Sequence, residues 1–241
     1  MIRFVSDKAL ELSSVVANCA MNRERSLNGS NGYGRELGVD VLAFLVGCLE
    51  KAPTVRWLDL CCGSGRALLE AADRLEGLGL GERAEIIGVD LVDHFSAPSR
   101  PPTVDFVNAS ITEWTPTGRF DLITSVHGLH YVGDKLGVLT SAASWLTDDG
   151  VFAANLDLRS ILLPTGTPAG RALTNRLRRE GFVYNSTHRR ISCSGTATVR
   201  LPYRYLGADD HAGPNYTGQP AVNSYYEDDA SWSCASTGPR S

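Results

Sequence analysis

The sequence predicts an α/β protein built on a doubly wound sheet of seven strands, mostly parallel and finished by a C-terminal antiparallel hairpin. Short apolar runs typical of buried strands alternate with amphipathic helical segments between residues 55 and 156, and this alternation favours a parallel sheet covered on both faces. The first of these strands leads directly into a glycine-containing turn and then a helix. A later run of alternating apolar and polar residues, 197–205, indicates the antiparallel pair.

Composition sets broad limits on the function. The chain has 241 residues, 43% hydrophobic and 21% charged, and a formal net charge of −4, which suits one globular domain with appendages. This charge gives no reason to expect nucleic-acid binding. No signal peptide is recognisable, and the longest apolar run, 41–49, is too short to span a bilayer. The six cysteines lack framework or metal-site spacing, so we expect reduced thiols, no metal site and a cytoplasmic protein.

The elements follow in order. Residues 1–36 are predicted as an N-terminal lid, partly helical, with a Ser-, Asn- and Gly-rich loop at 26–34. Asp40 is expected to cap a helix that ends before Pro53. Strands are predicted over 55–60, 84–89, 104–107, 120–126 and 151–156, with the order 3-2-1-4-5. Helices are predicted over 65–78, 135–146 and 168–180.

The last third of the sequence predicts the hairpin. A strand at 191–196 is expected to turn into a second strand over 197–205, with a bulge or early end at Pro202, which has no N–H to donate. The central domain therefore covers residues 37–206. Residues 207–241 hold few periodic apolar side chains, so we expect an ordered loop as far as residue 226 and a mobile tail after it.

Polar residues stand at the ends of three predicted strands: Asp59, Asp90 and Asn108. Ligands of such sheets bind beyond the carboxyl ends of the strands. A carboxylate at Asp90 can accept both hydroxyls of a ribose, and an amide at Asn108 can read the edge of an adenine ring. The sequence therefore predicts a nucleotide-type ligand.

The turn after the first strand excludes two common nucleotide sites. A dinucleotide fingerprint needs a third glycine, where Leu68 stands, and a phosphate-binding P-loop needs a Gly-Lys-Ser/Thr ending that Gly65-Arg66-Ala67 lacks. Asp59 beside the turn favours a ligand with a positive charge, such as an amino-acid ammonium.

Asp59-Leu60-Cys61-Cys62-Gly63-Ser64-Gly65 resembles the first motif of the class I S-adenosylmethionine-dependent methyltransferases, with Cys61 in place of the usual first glycine. Gly88-Val89-Asp90 is similar to the ribose-binding strand end, and 107–110 to the adenine-contacting position. Residues 120–125 resemble the fourth motif. The resemblance covers roughly residues 37–205 and implies a Rossmann-like fold and S-adenosyl-L-methionine as cofactor. The cofactor-binding residues that it implies are Asp59, Cys61, Cys62, Gly63, Ser64, Gly65, Asp90, Leu91, Asn108, Ala109, Ser110, Ser125 and Val126.

The chemistry that the resemblance implies is direct displacement at the methyl group, with S-adenosylhomocysteine as product. His127, His130 and Tyr131 follow the fourth strand and are the candidate catalytic residues; a histidine suits proton transfer near neutral pH. Each histidine also has a plain structural interpretation, as a wall of the cofactor site or as a packing residue. The candidate substrate pocket comprises Tyr33, Arg35, Tyr205, Asn215 and Tyr216.

The acceptor stays open at this point. We expect a small molecule of secondary metabolism rather than nucleic acid or membrane, and a monomer or homodimer. One alternative is an enzyme of the same fold that closes S-adenosylmethionine on itself to azetidine-2-carboxylate and methylthioadenosine. A second alternative is a protein that binds the cofactor without catalysis.

Overall fold

A computed structural model describes residues 4–16, 24–95 and 101–228. Cys19, Cys234 and the expected mobile tail from residue 229 onward lie outside these ranges, whereas Asp228, which was expected to begin that tail, ends the last strand. The helices are α1 (Asp7–Glu11), α2 (Tyr33–Leu37), α3 (Val41–Leu49), α4 (Arg66–Gly77), α5 (Lys135–Ser144) and α6 (Gly170–Arg179). The strands are β1 (Val55–Leu60), β2 (Ala84–Asp90), β3 (Val104–Asn108), β4 (Phe120–Ser125), β5 (Leu146–Asn155), β6 (Ile161–Leu162), β7 (Val183–Asn185), β8 (Arg190–Ser194), β9 (Tyr203–Asp209) and β10 (Asn223–Asp228). In the described part of the chain, no helix is long and apolar enough to cross a membrane.

The main sheet has seven strands in the order β3-β2-β1-β4-β5-β8-β7. Strands β1 to β5 pair in parallel, and β8 runs antiparallel to both β5 and β7. The predicted fold class and the predicted order of the first five strands are therefore confirmed. The chain moves outward from β1 to β3 and then returns to the other side of β1 at β4, so the switch point of the sheet lies between β1 and β4.

Neighbouring residues of β1 pack on opposite faces of the sheet. Trp57 lies in the core formed with α3 and α4, and Leu58 lies in the core formed with α5 and α6. Both side chains are fully buried, and burying a side chain of this size stabilises the fold by about 1.5–3 kcal/mol. Asp40 caps α3 as predicted, since its Oδ1 accepts a hydrogen bond from the Ala43 N–H at 3.0 Å. These cores hold the carboxyl ends of β1, β2 and β4 in fixed positions.

The predicted hairpin is wrong in its second strand. The antiparallel pair of the main sheet is β7 with β8, not 191–196 with 197–205. Gly195, at φ 76°, turns the chain away from the sheet after β8, and residues 196–202 carry no regular structure. The alternating apolar side chains of this segment still pack on the core, where Val199 is buried. Alternation alone therefore did not identify a strand, because Pro202 removes a donor from it.

A second sheet takes up both ends of the loop expected after residue 206. Its order is β6-β10-β9, with β10 antiparallel to β9 and parallel to β6. The expectation of a loop through residue 226 is therefore wrong at β9 and β10. Tyr225 and Tyr226 of β10 are buried, and their packing makes this strand part of the folded structure.

Lys135 joins the second sheet to the main domain from the first turn of α5. Its side chain is fully buried, and its Nζ donates to Val132 O at 2.9 Å, Val222 O at 2.8 Å and Ser224 Oγ at 2.7 Å. Burial lowers the pKa of this ammonium group to about 7. The three acceptors satisfy all three N–H donors of the ammonium group. Of these acceptors, Ser224 belongs to β10 and Val222 is the residue before it.

Candidate functional site

A cavity of about 270 Å³ lies at the carboxyl ends of β1, β2 and β4, at the switch point of the sheet, where ligands of such folds bind. The turn after β1 supplies Cys61, Cys62 and Gly63 to its wall, and β2 supplies Asp90. The residues after β3 and β4 complete the inner wall with Ala109, Ser110, Ile111, Thr112, Val126, His127, Gly128 and Tyr131.

The turn after β1 brings its backbone close to the cavity by an unusual path. Cys61, Gly63 and Gly65 all have left-handed backbone angles, with φ of 59°, 61° and 74°. A cysteine at such an angle is strained relative to glycine. The Cys61 side chain faces Gly128, where an added Cβ would lie 2.3 Å from the Cys61 Cβ. The turn after β1 and the segment after β4 are therefore packed against each other with no space for a larger residue.

Asp90 holds the turn in place. Its Oδ2 accepts the N–H of Gly63 at 2.8 Å, and its Oδ1 accepts the N–H of Val92 at 3.0 Å. The side chain is 5% exposed and lines the cavity. Each carboxylate oxygen has a further lone pair, so this group can still accept hydroxyls from a ligand.

The structure does not bring Asn108 to the cavity wall. Its Nδ2 donates to Leu91 O at 2.8 Å and to Asp90 O at 3.3 Å, which fixes the ends of β2 and β3 together. The residues that follow it, Ala109 and Ser110, do line the cavity, as does Leu91. Ser64, Gly65 and Ser125 lie behind the wall rather than in it.

Asp59 is fully buried and lies one layer away from the cavity. The hydroxyl of Tyr33, which does line the cavity, donates to Asp59 Oδ2 at 2.6 Å. The hydroxyl of Thr124 donates to Asp59 Oδ1 and accepts from Trp57 Nε1 at 2.8 Å. Burial raises the pKa of the Asp59 carboxyl to about 7, against the opposing effect of the two hydroxyl donors. Tyr33, rather than Asp59, therefore faces the cavity directly.

Asp59 should make the stability of the protein depend on pH. A carboxyl group ionises near pH 4 in an unfolded chain and near pH 7 at this position, so between these values the folded protein holds a proton that the unfolded chain lacks. The stability from this group is present below about pH 4 and is lost as the pH rises through 7. Relative to the wild type, we expect the free energy of unfolding of Asp59→Asn to rise by at least about 1.4 kcal/mol between pH 5 and pH 8.

Urea unfolding of both proteins at the two pH values measures this difference. Asp73→Asn, at an exposed position of α4, is the matched control and should show no pH-dependent change relative to the wild type. If the difference in free energy of unfolding between the wild type and Asp59→Asn were the same at pH 5 and pH 8, the raised pKa assigned to Asp59 would be wrong.

The two predicted catalytic histidines lie together in a hydrogen-bonded cluster. His127 lines the cavity at a left-handed φ of 58°, and its Nδ1 lies 3.4 Å from His130 Nε2. The hydroxyl of Tyr216 lies 3.3 Å from His130 Nε2 and 3.5 Å from His127 Nδ1. Burial, followed by the nearby His127, lowers the pKa of His130 to about 3. His130 is therefore neutral at physiological pH, and His127 is the member of the pair that reaches the cavity.

Glu36 completes this cluster and was not found from the sequence. Its Oε2 lies 3.0 Å from His127 Nε2, and the hydrogen bond to His127 lowers the pKa of Glu36 despite the opposing effect of partial burial. Arg25, a further cavity residue, lies 3.5 Å from Glu36 Oε1. Asn155, at the end of β5, accepts from the His127 N–H at 3.3 Å and donates to Glu36 O at 3.1 Å. For this cluster, the sequence offered one signal: Asn155 is a polar residue at the carboxyl end of a strand.

The predicted substrate-pocket residues divide into two groups. Tyr33 lines the cavity, and Tyr216 contacts the histidine cluster, with the guanidinium of Arg189 3.9 Å from its ring centroid. Arg35 is exposed, and its Nη1 donates to Ser30 O at 3.1 Å, away from the cavity. Tyr205 and Asn215 stand outside the cavity lining, whereas Thr217 and Gln219 are part of it.

The N-terminal segment 4–16 covers one end of the cavity. Asp7, Leu10, Glu11 and Val16 line it. Val5 pairs with Ala208 of β9, and the Tyr205 hydroxyl donates to Asp7 Oδ1 at 2.7 Å. The second sheet therefore holds this cover against the main domain.

One cluster in the described ranges, Asp209, Asp210 and His211, has the spacing of metal ligands. None of its members lines the cavity.

Comparison with known proteins shows which family the chain belongs to. The sequence model of a family described as a methyltransferase domain matches residues 21–190. The trans-aconitate 2-methyltransferase of Acidovorax sp. (strain JS42) is 31% identical over 101 residues, which are 41% of this chain and 37% of that protein. The chain thus matches little more than a third of the length of this relative.

Two solved structures show similarity at low identity. The N-methyltransferase NodS from Bradyrhizobium japonicum WM9, in complex with S-adenosylhomocysteine, is 15% identical with a TM-score of 0.43, covering 79% of this chain and 97% of that one. CalS10, an amino pentose methyltransferase from Micromonospora echinaspora, is 20% identical with a TM-score of 0.36, covering 48% of each chain. Because the family match spans more than half of the sequence, the chain belongs to this family of methyltransferase domains.

Proposed function

We propose that the protein binds S-adenosyl-L-methionine in the cavity and transfers its methyl group to a small molecule by direct displacement. The lone pair of the acceptor atom attacks the methyl carbon, the carbon–sulfur bond breaks, and its electrons remain on sulfur in S-adenosylhomocysteine. Such a reaction depends mainly on alignment of the acceptor, the methyl carbon and the sulfur.

The observation that carries this proposal is the position of Asp90. A buried carboxylate lines the cavity at the switch point, beside a turn whose backbone approaches the same space. This arrangement fits the ribose of a nucleoside-containing cofactor, and membership of a methyltransferase family supports S-adenosylmethionine as that cofactor.

His127 is the proposed base for an acceptor that must lose a proton. It lies in the cavity wall and is held by Glu36 and by the His130–Tyr216 pair. Glu36 stabilises the protonated form of His127 after proton transfer, and neutral His130 adds no second positive charge. Tyr131 lines the same part of the cavity and would position the acceptor.

A small-molecule acceptor is the substrate class that the cavity favours. Its volume is about 270 Å³, and the segment 4–16 covers one end. The net charge of −4 gives no electrostatic attraction to nucleic acid.

Calorimetric titration with S-adenosylhomocysteine tests the cofactor assignment. We expect binding in the micromolar range or tighter and no comparable binding of adenosine triphosphate; absence of S-adenosylhomocysteine binding would end the proposal. Incubation with methyl-labelled S-adenosylmethionine and panels of small acids, amines and phenols then tests transfer. The same incubation without acceptor tests the ring closure considered from the sequence, because that reaction releases methylthioadenosine together with azetidine-2-carboxylate, at a rate above that of a control without enzyme.

The pairing of Glu36 with His127 can be tested without an acceptor. Since the hydrogen bond to His127 is the main cause that lowers the pKa of Glu36, we expect His127→Phe to raise that pKa toward the usual value for a glutamate. A ¹³C NMR titration of the glutamate carboxyl groups measures the change. His188→Phe, at an exposed position of the β7–β8 turn, should leave the Glu36 titration unchanged, and an unchanged titration in His127→Phe would remove Glu36 from the proposed mechanism.

A further inference from the structure

The cavity continues past Asp90 toward the outer strand β3. Asp90 ends β2, which lies between β1 and β3 in the sheet, so a ligand held by Asp90 extends toward β4 on one side and toward β3 on the other. The β3 side is lined mainly by apolar side chains of the two strand ends and the N-terminal segment: Leu10, Val16, Leu91, Val92, Ala109 and Ile111. A narrow apolar space of this kind suits the flat faces of a purine ring.

The polar groups in this compartment form a short hydrogen-bonded chain that ends on a carboxylate. The hydroxyl of Ser110 donates to Glu11 Oε1. Ser110 Oγ in turn lies 2.8 Å from Thr112 Oγ1 and accepts the Thr112 N–H at 3.3 Å. Glu11 Oε2 has no hydrogen-bond partner in the ranges that the structure describes. One oxygen of Glu11 is therefore fixed, and the other is available at the cavity wall.

We propose that Glu11 accepts a hydrogen bond from the exocyclic amino group of the adenine ring, and that the N-terminal segment is therefore part of the cofactor site. The inference rests on the proposed function. An ionised carboxylate only accepts hydrogen bonds, and the amino group of adenine is a donor on the ring edge. Asn108, which the sequence suggested for this role, does not line the cavity, and its amide group is turned toward Leu91 O and Asp90 O.

The N-terminal segment that carries Glu11 lies outside residues 21–190, which match the methyltransferase family. Its segment is anchored from elsewhere, because Val5 pairs with Ala208 and Asp7 Oδ1 accepts from the Tyr205 hydroxyl at 2.7 Å. The segment is thus held at the compartment by contacts that do not involve Glu11, and Glu11 is free to act on the ligand.

Deaminated cofactor product is the probe that isolates this contact. S-inosylhomocysteine carries a carbonyl oxygen, an acceptor, where S-adenosylhomocysteine carries the amino group, so the wild type would place two acceptors against each other. A hydrogen bond to a charged group contributes about 1.5–3 kcal/mol; we therefore expect the wild type to bind S-adenosylhomocysteine about 10- to 100-fold more tightly than S-inosylhomocysteine. Glu11→Gln can donate to the carbonyl, and its preference should fall to about 3-fold or less.

Two further variants complete the experiment. Glu113→Gln changes an exposed glutamate three residues after Ser110 and should retain the wild-type preference. Ser110→Ala frees Glu11 Oε1 and should reduce the preference without changing the charge, and it tests the assignment independently if Glu11→Gln does not fold by circular dichroism. Wild-type preference in Glu11→Gln or in Ser110→Ala would overturn the inference while leaving the proposed function intact. Failure of the wild type to bind S-adenosylhomocysteine at all would instead overturn the proposed function and the inference with it.

Discussion

Replacing Gly65 by alanine should destabilise the protein by about 2–5 kcal/mol. Gly65 has φ 74°, and an added Cβ would lie 2.2 Å from two ring carbons of Phe106. The left-handed angle costs an alanine about 1–2 kcal/mol, and the forced movement of a buried side chain adds about 1–3 kcal/mol. Phe106 has little room to move, because its ring stacks on Phe95 with 4.7 Å between centroids. Thermal unfolding should show a midpoint about 5–15 °C lower than that of the wild type.

Gly79→Ala separates the two causes. Gly79 has φ 70°, almost the same angle, but a Cβ added there meets nothing within 4 Å. We expect it to lose only the backbone part, about 1–2 kcal/mol. Equal losses in the two variants would show that Phe106 moves aside without cost and that the turn tolerates a side chain.

Asp90→Asn should weaken binding of S-adenosylhomocysteine by about 100-fold or more. The carboxylate is proposed to accept two ribose hydroxyls, and each hydrogen bond to a charged group contributes about 1.5–3 kcal/mol. It also accepts the Gly63 N–H at 2.8 Å and the Val92 N–H at 3.0 Å. An asparagine amide has one oxygen for these two donors, so the turn beside the ligand is disturbed as well. Calorimetric titration measures the dissociation constant.

Asp105→Asn is the matched control for this experiment. Asp105 lies on the adjacent strand β3 with its side chain exposed, and its replacement should leave the affinity unchanged. Circular dichroism and thermal unfolding should show that Asp90→Asn is folded at the titration temperature. An affinity within about 5-fold of the wild type would mean that Asp90 serves the turn and not the ligand.

Local patterns in the sequence were sufficient to predict the five parallel strands of the main sheet and the residues that meet at their carboxyl ends. The turn 61–65 and Asp90 each follow an apolar strand directly, and parallel strands bring their carboxyl ends to one edge. The geometry of the sheet therefore places such residues together without knowledge of distant contacts. The same argument applied to Asn155 at the end of β5, but it did not show what that side chain would bind.

The rest of the site depends on contacts between distant segments. Glu36 and His127 are 91 positions apart, and Glu11 and Ser110 are 99 apart; neither pair leaves a periodic pattern in the sequence. Asp59 illustrates a different limit. Its position at the end of β1 was correct, but the sequence could not show that the Tyr33 hydroxyl would lie between it and the ligand. The strand predicted over 197–205 was wrong for residues 197–202. Apolar side chains can reach a core from an irregular segment as well as from a strand, so their alternation does not distinguish the two.

The buried ammonium of Lys135 also has a consequence for the order in which the chain can complete its fold during synthesis. Lys135 begins α5, at the centre of the main domain. Val222 and Ser224, which supply two of its acceptors, emerge from the ribosome much later. Until they arrive, the domain must either leave this end of α5 open to water or bury a cation with one acceptor, Val132 O. Folding of the main domain is therefore completed only when β10 is made, and a nascent chain that stops before residue 222 leaves Lys135 without two of its three acceptors.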